Sequence, residues 1–481
     1  MRRSAIPTSP QSLYPRSAGT SRGALALVAI LVCSALHFPL RAQDDARRRD
    51  SKRIAAAVDS IVADALKGGK AAGMSVAVVW GSDTMVLKGY GYADLEFDVP
   101  TPERAIYEIG SITKQFTAAA ILKLAEEGKL SLDDDITKYL PDFPARGYRI
   151  TLRRLLDHTS GIPGYTEFPE FAELSMRKLP RDTLLALIGS KPLDFPPGEA
   201  MVYSNSGYFL LGLVIEKASG LPYEEYVRRH LFGPAGMQDS RYCSERAVIK
   251  RRAHGYDMGP LGLMRAAYLD HTWPYAAGSL CSTARDLVAW NKALHGGKIL
   301  APDSYRELIT PGTLNDGTRL RYAKGLVVDS MLGRRVIHHG GGINGFLSDL
   351  KYFPDDTLTV AVLINTAGPV APGQISRAIA EAIFGPEPTR GIPFSGSAAD
   401  YAGRYRGVGR GRELVIEILA DSATGGLAAR VGDGQPAPLS YLGRDTFERG
   451  NLRLRFEREG GRVVALRADL VSVYSILRRS P

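Results

Sequence analysis

The stretch YEIGSITKQFTAAAILKLAEEG, residues 107–128, decides how the rest of the chain is interpreted. The run after Ser111 consists almost entirely of helix-forming and core-type residues, and Gly128 is a natural stop for the predicted helix. Residues three apart share one face of a helix, so Ser111 and Lys114 point the same way at its N-terminus.

Ser111 and Lys114 have the residue types of a nucleophile and its base. A serine hydroxyl needs a base within hydrogen-bond reach, and a lysine one turn away can accept its proton once desolvation has lowered the lysine pKa. The helix N-terminus adds N–H groups and positive partial charge where an oxyanion would form. A capping serine beside a surface lysine would show the same spacing, so the pair needs support from the rest of the chain.

Two later stretches contain residues that could complete such a site. Tyr203 and Asn205 stand where a loop is predicted to enter a helix, and they could move a proton and hold a substrate carbonyl. A buried core tyrosine and a capping asparagine are the alternative. The run His339-Gly340-Gly341 lies on a predicted strand, where glycines would let a substrate backbone approach and leave N–H groups free. A Gly-rich turn is the alternative there.

In this order, the three motifs resemble S-x-x-K, Y-x-N and K/H-x-G of the penicillin-recognising serine hydrolases. That family comprises class C β-lactamases, D-Ala-D-Ala carboxypeptidases and their esterase relatives. The resemblance covers residues 53–385. It extends to three flanking phrases, IGSITKQF at 109–116, LLDHTSG at 155–161 and GSLCSTARD at 278–286.

Matched residue by residue, the resemblance implies a catalytic role for several side chains. Ser111 would be the acylated nucleophile, and Lys114 and Tyr203 would share the general acid and base work. The backbone N–H groups of Ser111 and Gly342 would form the oxyanion hole. His158 belongs to a family-like phrase, and we interpret it as structural. No cofactor and no metal ion are implied.

The substrate-binding positions depart from the family pattern. Asn205 would orient the substrate, and His339, Gly340 and Gly341 would line the cleft. Class C β-lactamases have a lysine where this chain has His339, and histidine is largely neutral at pH 7. Gly340 supplies no hydroxyl. Both changes weaken the case for β-lactam hydrolysis and favour a peptidase-like or esterase-like activity.

The fold expected from the sequence pattern and the family resemblance is α+β. Strands are predicted at both ends of a serine hydrolase domain at 43–385, with helices between them. The simplest assembly is a β-lactamase/transpeptidase-like antiparallel sheet flanked by helices, plus a helical subdomain. A Pro/Gly/Ser-rich linker at 386–397 leads to residues 398–481, whose short alternating runs predict a small all-β accessory domain, a barrel or a meander, without a convincing helix.

The N-terminus has the composition of an export signal. Residues 1–42 combine a positive beginning, an apolar run at 23–36 and a small residue at a plausible cleavage point. We therefore expect a protein exported to the periplasm or beyond, with an uncleaved signal anchor as the alternative. Cys243 and Cys281 would remain after cleavage. They could pair in an oxidising compartment or stay as separate buried thiols.

Charge bears on the partners of the protein. The net charge is +10, but residues 1–53 carry ten Lys or Arg against three Asp or Glu, so the body is only mildly basic. No dense basic stripe with interleaved aromatics is present, which argues against nucleic-acid binding. The expected partner is a small-molecule or peptide substrate. Membrane contact would come only through an uncleaved signal segment, and the oligomeric state stays open.

The function expected from the sequence is that of an exported serine hydrolase acting through a Ser111 acyl-enzyme on esters or amides, with D-amino-acid peptides as a candidate. A true β-lactamase or a D-Ala-D-Ala carboxypeptidase is the alternative. A non-catalytic binding protein is the alternative of another class. His-Gly-Gly-Gly also occurs in α/β-hydrolases, but there a G-x-S-x-G elbow follows it, and here none does. The eight histidines show no H-E-x-x-H pattern of a metallohydrolase.

Overall fold

The computed structural model describes residues 50–244, 246–388, 390–421 and 425–480. The chain divides into two units, 1–53 and 54–481, and the account below concerns the second. The expected signal peptide at 1–42 lies outside the described residues. Within the described ranges, no helix combines the length and the apolar character needed to cross a bilayer.

The central element is a seven-stranded antiparallel sheet in which strands from the two ends of residues 54–385 are neighbours. Side by side, the strands are β10 (Val327–Met331), β11 (Arg334–Ile343), β12 (Phe346–Phe353), β13 (Leu358–Ile364), β1 (Gly73–Trp80), β2 (Asp83–Asp94) and β3 (Val99–Pro100). β1 pairs with β13 from Met74 opposite Ile364 to Trp80 opposite Leu358. This confirms the predicted pairing of N-terminal with C-terminal strands.

β1 and β13 consist mainly of apolar residues because both faces of the sheet are covered. On one face, Val76 and Val362 pack in a core cluster with α1 (50–66) and α12 (Pro372–Phe384). On the other face, Ala77 and Leu363 belong to the larger core, which the helical part of the chain encloses. The α+β class expected from the sequence is confirmed.

The helices of this part of the chain contribute to the larger core, and the first of them contains Lys114. They are α2 (Thr113–Glu126), α3 (Leu152–Leu156), α4 (Phe171–Leu174), α5 (Arg181–Ser190), α6 (Asn205–Ser219), α7 (Tyr223–Val227), α8 (Gly233–Ala235), α9 (Tyr275–Gly278), α10 (Ala284–His295) and α11 (Pro302–Leu308). Because α2 is buried along most of its length, small and apolar residues fill it on every side. Lys114 is the one charged side chain among its buried residues.

Two small sheets tie the loops to this body. One joins β4 (Tyr107–Glu108), β9 (Leu280–Ser282) and β6 (Arg241–Tyr242), and the other joins β14 (Thr366–Ala367), β7 (Tyr256–Gly259) and β8 (Gly262–Arg265). Beside the first sheet, Cys243 and Cys281 form a disulfide with their Cα atoms 5.2 Å apart. Of the two alternatives that the sequence left open, the structure has the paired one.

The C-terminal part is an all-β domain of antiparallel strands. In spatial order they are β18 (Ala437–Pro438), β17 (Leu427–Val431), β16 (Leu414–Ala420), β15 (Gly403–Gly407), β23 (Val473–Arg479), β22 (Arg462–Asp469), β21 (Leu452–Glu459), β20 (Thr446–Arg449) and β19 (Ser440–Gly443). Only Leu439 separates β18 from β19, so the sheet closes on itself as a barrel. The expectation of no helix is wrong in one detail, because a single turn, α13 (Ala398–Tyr401), precedes β15.

The barrel and the body share a strand pairing. The short strand β5 (Met201–Val202) pairs with β23, Val202 lying opposite Val473, and the next residue, Tyr203, donates its backbone N–H to Ser472 O at 2.9 Å. Since β5 leads directly into the Tyr203–Asn205 motif, the barrel fixes the backbone of that motif. The domain limits at 385 and 398 stay a prediction.

An ion-pair network joins the same two parts. Arg321 is 7% exposed and lies between Asp329 of the body and Asp469 of the barrel, with contacts of 2.9 and 2.8 Å. Its Nη2 also donates to the carbonyl oxygen of Asn451 at 2.6 Å. Arg453 pairs with the same Asp329 at 2.8 Å. Arg321 therefore neutralises carboxylates that the two parts bury together.

We expect Arg321→Met to destabilise the protein by about 3–5 kcal/mol, because it leaves the Asp469 carboxylate without its cation and removes one of the two cations that pair with Asp329. The exposed Arg319, two residues away, is the matched control, and Arg319→Met should change the free energy of unfolding by no more than about 0.5 kcal/mol. Urea unfolding of the full chain measures both. Equal effects of the two variants would show that the network contributes nothing beyond a surface charge.

Candidate active site

Ser111 and Lys114 meet at the N-terminus of α2. Ser111 lies on a single 3₁₀ turn, Gly110–Ile112, which runs into the helix. Its Oγ is 3.1 Å from Lys114 Nζ. The same Nζ is 2.7 Å from Asn205 Oδ1 and 2.8 Å from the carbonyl oxygen of Ala277. The predicted nucleophile and base are thus in hydrogen-bond contact.

These contacts determine how the Lys114 amine is oriented. An amide oxygen and a backbone carbonyl can only accept hydrogen bonds, so Asn205 and Ala277 each take one N–H. Burial lowers the Lys114 pKa well below its ordinary value, and the positive charge of Arg410 lowers it further. In the neutral amine, the lone pair is then left for the Ser111 hydroxyl. This is the arrangement of a general base.

The Tyr203–Asn205 motif is held by residues on both sides. Ser204 caps α6 by accepting the N–H of Gly207 at 3.2 Å, so the capping role weighed for Asn205 belongs to Ser204. The Ser204 N–H donates to His158 Nδ1 at 3.1 Å, and the His158 ring lies 4.3 Å from the Tyr203 ring. His158 therefore positions the motif through Ser204 and makes no hydrogen bond to Ser111 among the described residues.

Tyr203 has the properties of an acid. Burial raises the pKa of its phenol well above the ordinary value, although the Ser111 hydroxyl and Arg410 oppose part of that rise. Its hydroxyl is buried and makes no hydrogen bond of regular geometry to any part of the chain that the structure describes. Lys114 Nζ lies 4.7 Å from the ring centre. Neighbouring environments that push one pKa down and the other up separate a base from an acid.

Strand β11 lies directly against the turn that carries Ser111. A Cβ on Gly110, whose φ is +49°, would come within 2.8 Å of Gly342 N, and a Cβ on Gly341 would come within 2.1 Å of the Ile109 carbonyl oxygen. Both positions therefore require glycine. β10 pairs only with residues 334–338 of β11, so the strand edge from 339 onward faces the Ser111 turn. The turn that carries Ser111 and the strand that carries Gly342, the two predicted oxyanion positions, are therefore in contact.

His339 is not a cation in this structure. Burial, with the nearby positive charge of Lys114, lowers the pKa of its imidazole to about 3. Nδ1 is 2.6 Å from Gly340 O, which can only accept, so Nδ1 carries the proton. Nε2 then accepts the hydroxyl hydrogen of Tyr322 at 2.9 Å. His339 is 5% exposed, so its imidazole is covered by the surrounding chain.

The structure brings all the predicted site residues to one place, but it also adds residues that the sequence did not reveal. Thr166 accepts a hydrogen bond from Asn205, and Tyr322 is hydrogen-bonded to His339. Arg410 lies over the ring of Tyr203. None of these residues stands in a motif, and Arg410 lies beyond the predicted hydrolase domain. Among the described residues, no three His, Cys, Asp or Glu side chains are grouped so that they could hold a metal ion.

Comparisons with known proteins show a family likeness over most of the chain. The family model described as Beta-lactamase matches residues 58–383. The chain is 30% identical to penicillin-binding protein 4* of Bacillus subtilis over 302 residues. This matched stretch covers 59% of this chain and 66% of that relative. The chain thus spans less than two thirds of the length of this relative.

Two solved structures extend the likeness. The octameric penicillin-binding protein homologue from Pyrococcus abyssi has a TM-score of 0.62 at 27% identity, over 88% of this chain and 99% of that one. The D-amino acid amidase from Ochrobactrum anthropi, complexed with L-phenylalanine, has a TM-score of 0.61 at 27% identity, over 69% of this chain and 98% of the amidase. Since the family match spans most of the chain, the protein belongs to the β-lactamase family of serine hydrolases.

Proposed function

We propose that the protein is an exported serine hydrolase that forms an acyl-enzyme on Ser111 and cleaves esters or amides, with D-amino-acid amides and peptides as the candidate amide class. The observation that carries the proposal is the buried Lys114 amine, held 3.1 Å from Ser111 Oγ by two carbonyl-type acceptors. A lysine so desolvated serves as a base at neutral pH.

The proposed reaction moves protons through Lys114 in both halves and through Tyr203 in the first. Neutral Lys114 takes the Ser111 proton as Oγ attacks the substrate carbonyl carbon. The oxyanion forms between the N–H groups of Ser111 and Gly342. Tyr203 gives its proton to the leaving oxygen or nitrogen, and the Lys114 ammonium then reprotonates the phenolate. In the second half, water attacks the acyl carbon and gives a proton to Lys114. The Lys114 ammonium then returns a proton to Ser111 Oγ as the acyl C–O bond breaks, which restores the free enzyme.

The edge of strand β11 bears on the substrate class. A neutral His339 offers no fixed charge to a substrate carboxylate, and Gly340 offers no hydroxyl. The likeness to D-amino acid amidase supports amide cleavage. A β-lactamase or D-Ala-D-Ala carboxypeptidase is the second candidate, favoured by the likeness to penicillin-binding protein 4*. The contacts between Ser111 and Lys114 argue against a non-catalytic binding protein.

Export is supported by the apolar N-terminal run and by the disulfide between Cys243 and Cys281. Disulfides persist mainly in oxidising compartments, such as the periplasm.

We expect Ser111→Ala to abolish hydrolysis and labelling by a fluorophosphonate probe, since it removes the nucleophile. Lys114→Met should lower kcat/KM on a p-nitrophenyl ester by roughly 10²–10⁴-fold, the usual contribution of a general base. Lys123→Met, on the last turn of α2, is the matched lysine control and should keep activity. Near-full activity of Lys114→Met would mean that another group takes the serine proton.

The ratio of kcat/KM on a short p-nitrophenyl ester to that on nitrocefin tests the substrate class. We expect a ratio well above ten in favour of the ester, because no cation stands at the His339 position. D-phenylalanine amide and its L-enantiomer, compared at equal concentration, test the amide class. Nitrocefin turnover that equals or exceeds ester turnover would make the protein a β-lactamase.

The pH profile tests the state of His339. Its pKa of about 3 keeps it neutral from pH 5 to 8, so it changes no charge in that range. The acidic limb of kcat/KM therefore belongs to Lys114, which must lose its proton to act. We expect His339→Gln to change the height of the profile but to leave the midpoint of that limb within about 0.3 pH units. A larger displacement would show that His339 titrates in the active range.

A further inference from the structure

A loop of the C-terminal barrel reaches the candidate active site. It connects β15 to β16, at 408–413, and carries Arg410. Arg410 Nε forms an ion pair with Glu167 Oε1 at 2.7 Å, and its Nη2 donates to Thr166 Oγ1 at 3.1 Å. Gly411 has a φ of +65°, and a Cβ there would lie 2.7 Å from Glu167 Cβ. The loop therefore sits flush against the segment 165–167.

The hydrogen bonds of Thr166 continue toward the nucleophile. Asn205 Nδ2 donates to the same Thr166 Oγ1 at 3.3 Å, while Asn205 Oδ1 accepts from Lys114 Nζ at 2.7 Å. Lys114 Nζ in turn touches Ser111 Oγ. A continuous chain of four contacts thus runs from the barrel arginine to the serine, and it fixes which way the Asn205 amide faces.

The charge of Arg410 acts on the same groups. Its guanidinium carbon lies 5.3 Å from the centre of the Tyr203 ring. Its positive charge lowers the pKa of Lys114, after the larger effect of burial, and opposes the rise in the pKa of Tyr203. The other titratable or charged groups that face this cluster include Tyr165, Glu167, Tyr208, Tyr322, His158 and His339.

We propose that Arg410 is a positioning residue of the hydrolase, so that the C-terminal barrel completes the active site by fixing Thr166, Asn205 and through them Lys114. The inference rests on the proposed function, since it assigns Arg410 a part in the reaction of Ser111. It replaces the expectation that the barrel is only an accessory module.

Arginine suits this position better than lysine. Its planar guanidinium presents several N–H groups in a fixed fork, so one side chain can hold both the Glu167 carboxylate and the Thr166 hydroxyl. Lysine would keep the charge but would lose the fork. The two contributions of Arg410, its geometry and its charge, are therefore separable by substitution.

The main test compares Arg410→Gln with Arg412→Gln in the full chain. Arg412 lies on the same loop and is exposed, which makes it the matched control. We expect Arg410→Gln to lower kcat on the p-nitrophenyl ester by about 10–100-fold with a smaller change in KM, because small misplacements of a catalytic group cost that much. Arg412→Gln should stay within about twofold of the wild type.

The pH profile supplies a readout that a loss of folding would not give. Removing a neighbouring cation raises the Lys114 pKa, so the acidic limb of kcat/KM should move to higher pH in Arg410→Gln. Arg410→Lys keeps the charge and should leave the limb where it is in the wild type, while kcat still falls. A limb that does not move in Arg410→Gln would overturn the electrostatic part of the proposal.

A double-mutant comparison tests whether Arg410 acts through Thr166. Thr166→Val keeps the shape of the side chain but breaks the chain of contacts, so it should lower kcat by a similar factor, and adding Arg410→Gln should lower it little further. Full additivity, or unchanged kcat in Arg410→Gln, would overturn the positioning role. Thermal unfolding confirms that each variant is folded. Fluorophosphonate labelling of the wild type separates the outcomes, because failure to label Ser111 would instead contradict the proposed function.

Discussion

The site depends on one buried amine. Lys114 Nζ lies out of contact with solvent, and two of its three hydrogen-bonding directions are taken by oxygens that can only accept. Desolvation makes the charged form costly, so the third direction becomes the place where a proton is received. α2 must be buried along most of its length for this to hold, which explains why its sequence is rich in alanine and other apolar residues.

The remaining elements of the site follow from that burial. α9 supplies the Ala277 carbonyl, and α6 supplies Asn205 at its first residue. β11 supplies a strand edge whose glycines let it touch the turn of Ser111. The barrel supplies the strand that aligns Tyr203 and the arginine beside it. Each element contributes one contact to the catalytic groups, and the hydrophobic core holds these elements in place.

Much of this was predictable from local patterns. The spacing of Ser111 and Lys114 predicted that both stand at the start of one helix, and the structure has Ser111 on the turn that leads into α2 and Lys114 in its first turn. The apolar runs of β1 and β13 required a sheet covered on both faces. By contrast, Arg410 could not be found, because its partners are Thr166 and Glu167, far away in the sequence, and nothing near Arg410 indicates them. The protonation state of His339 also depends on burial and on Tyr322, which a strand pattern does not show.

The pairing of β5 with β23 bears on when the protein becomes active. Residues 201–202 and 473–474 are far apart in the sequence, so Tyr203 acquires its backbone partner only after Ser472 has been synthesised. Contacts between distant segments form late in folding because the closure of long loops must come first. A nascent chain that already contains Ser111 and Lys114 therefore still lacks the alignment of its proton donor. The alignment of Tyr203 therefore depends on strand β23 being present and folded.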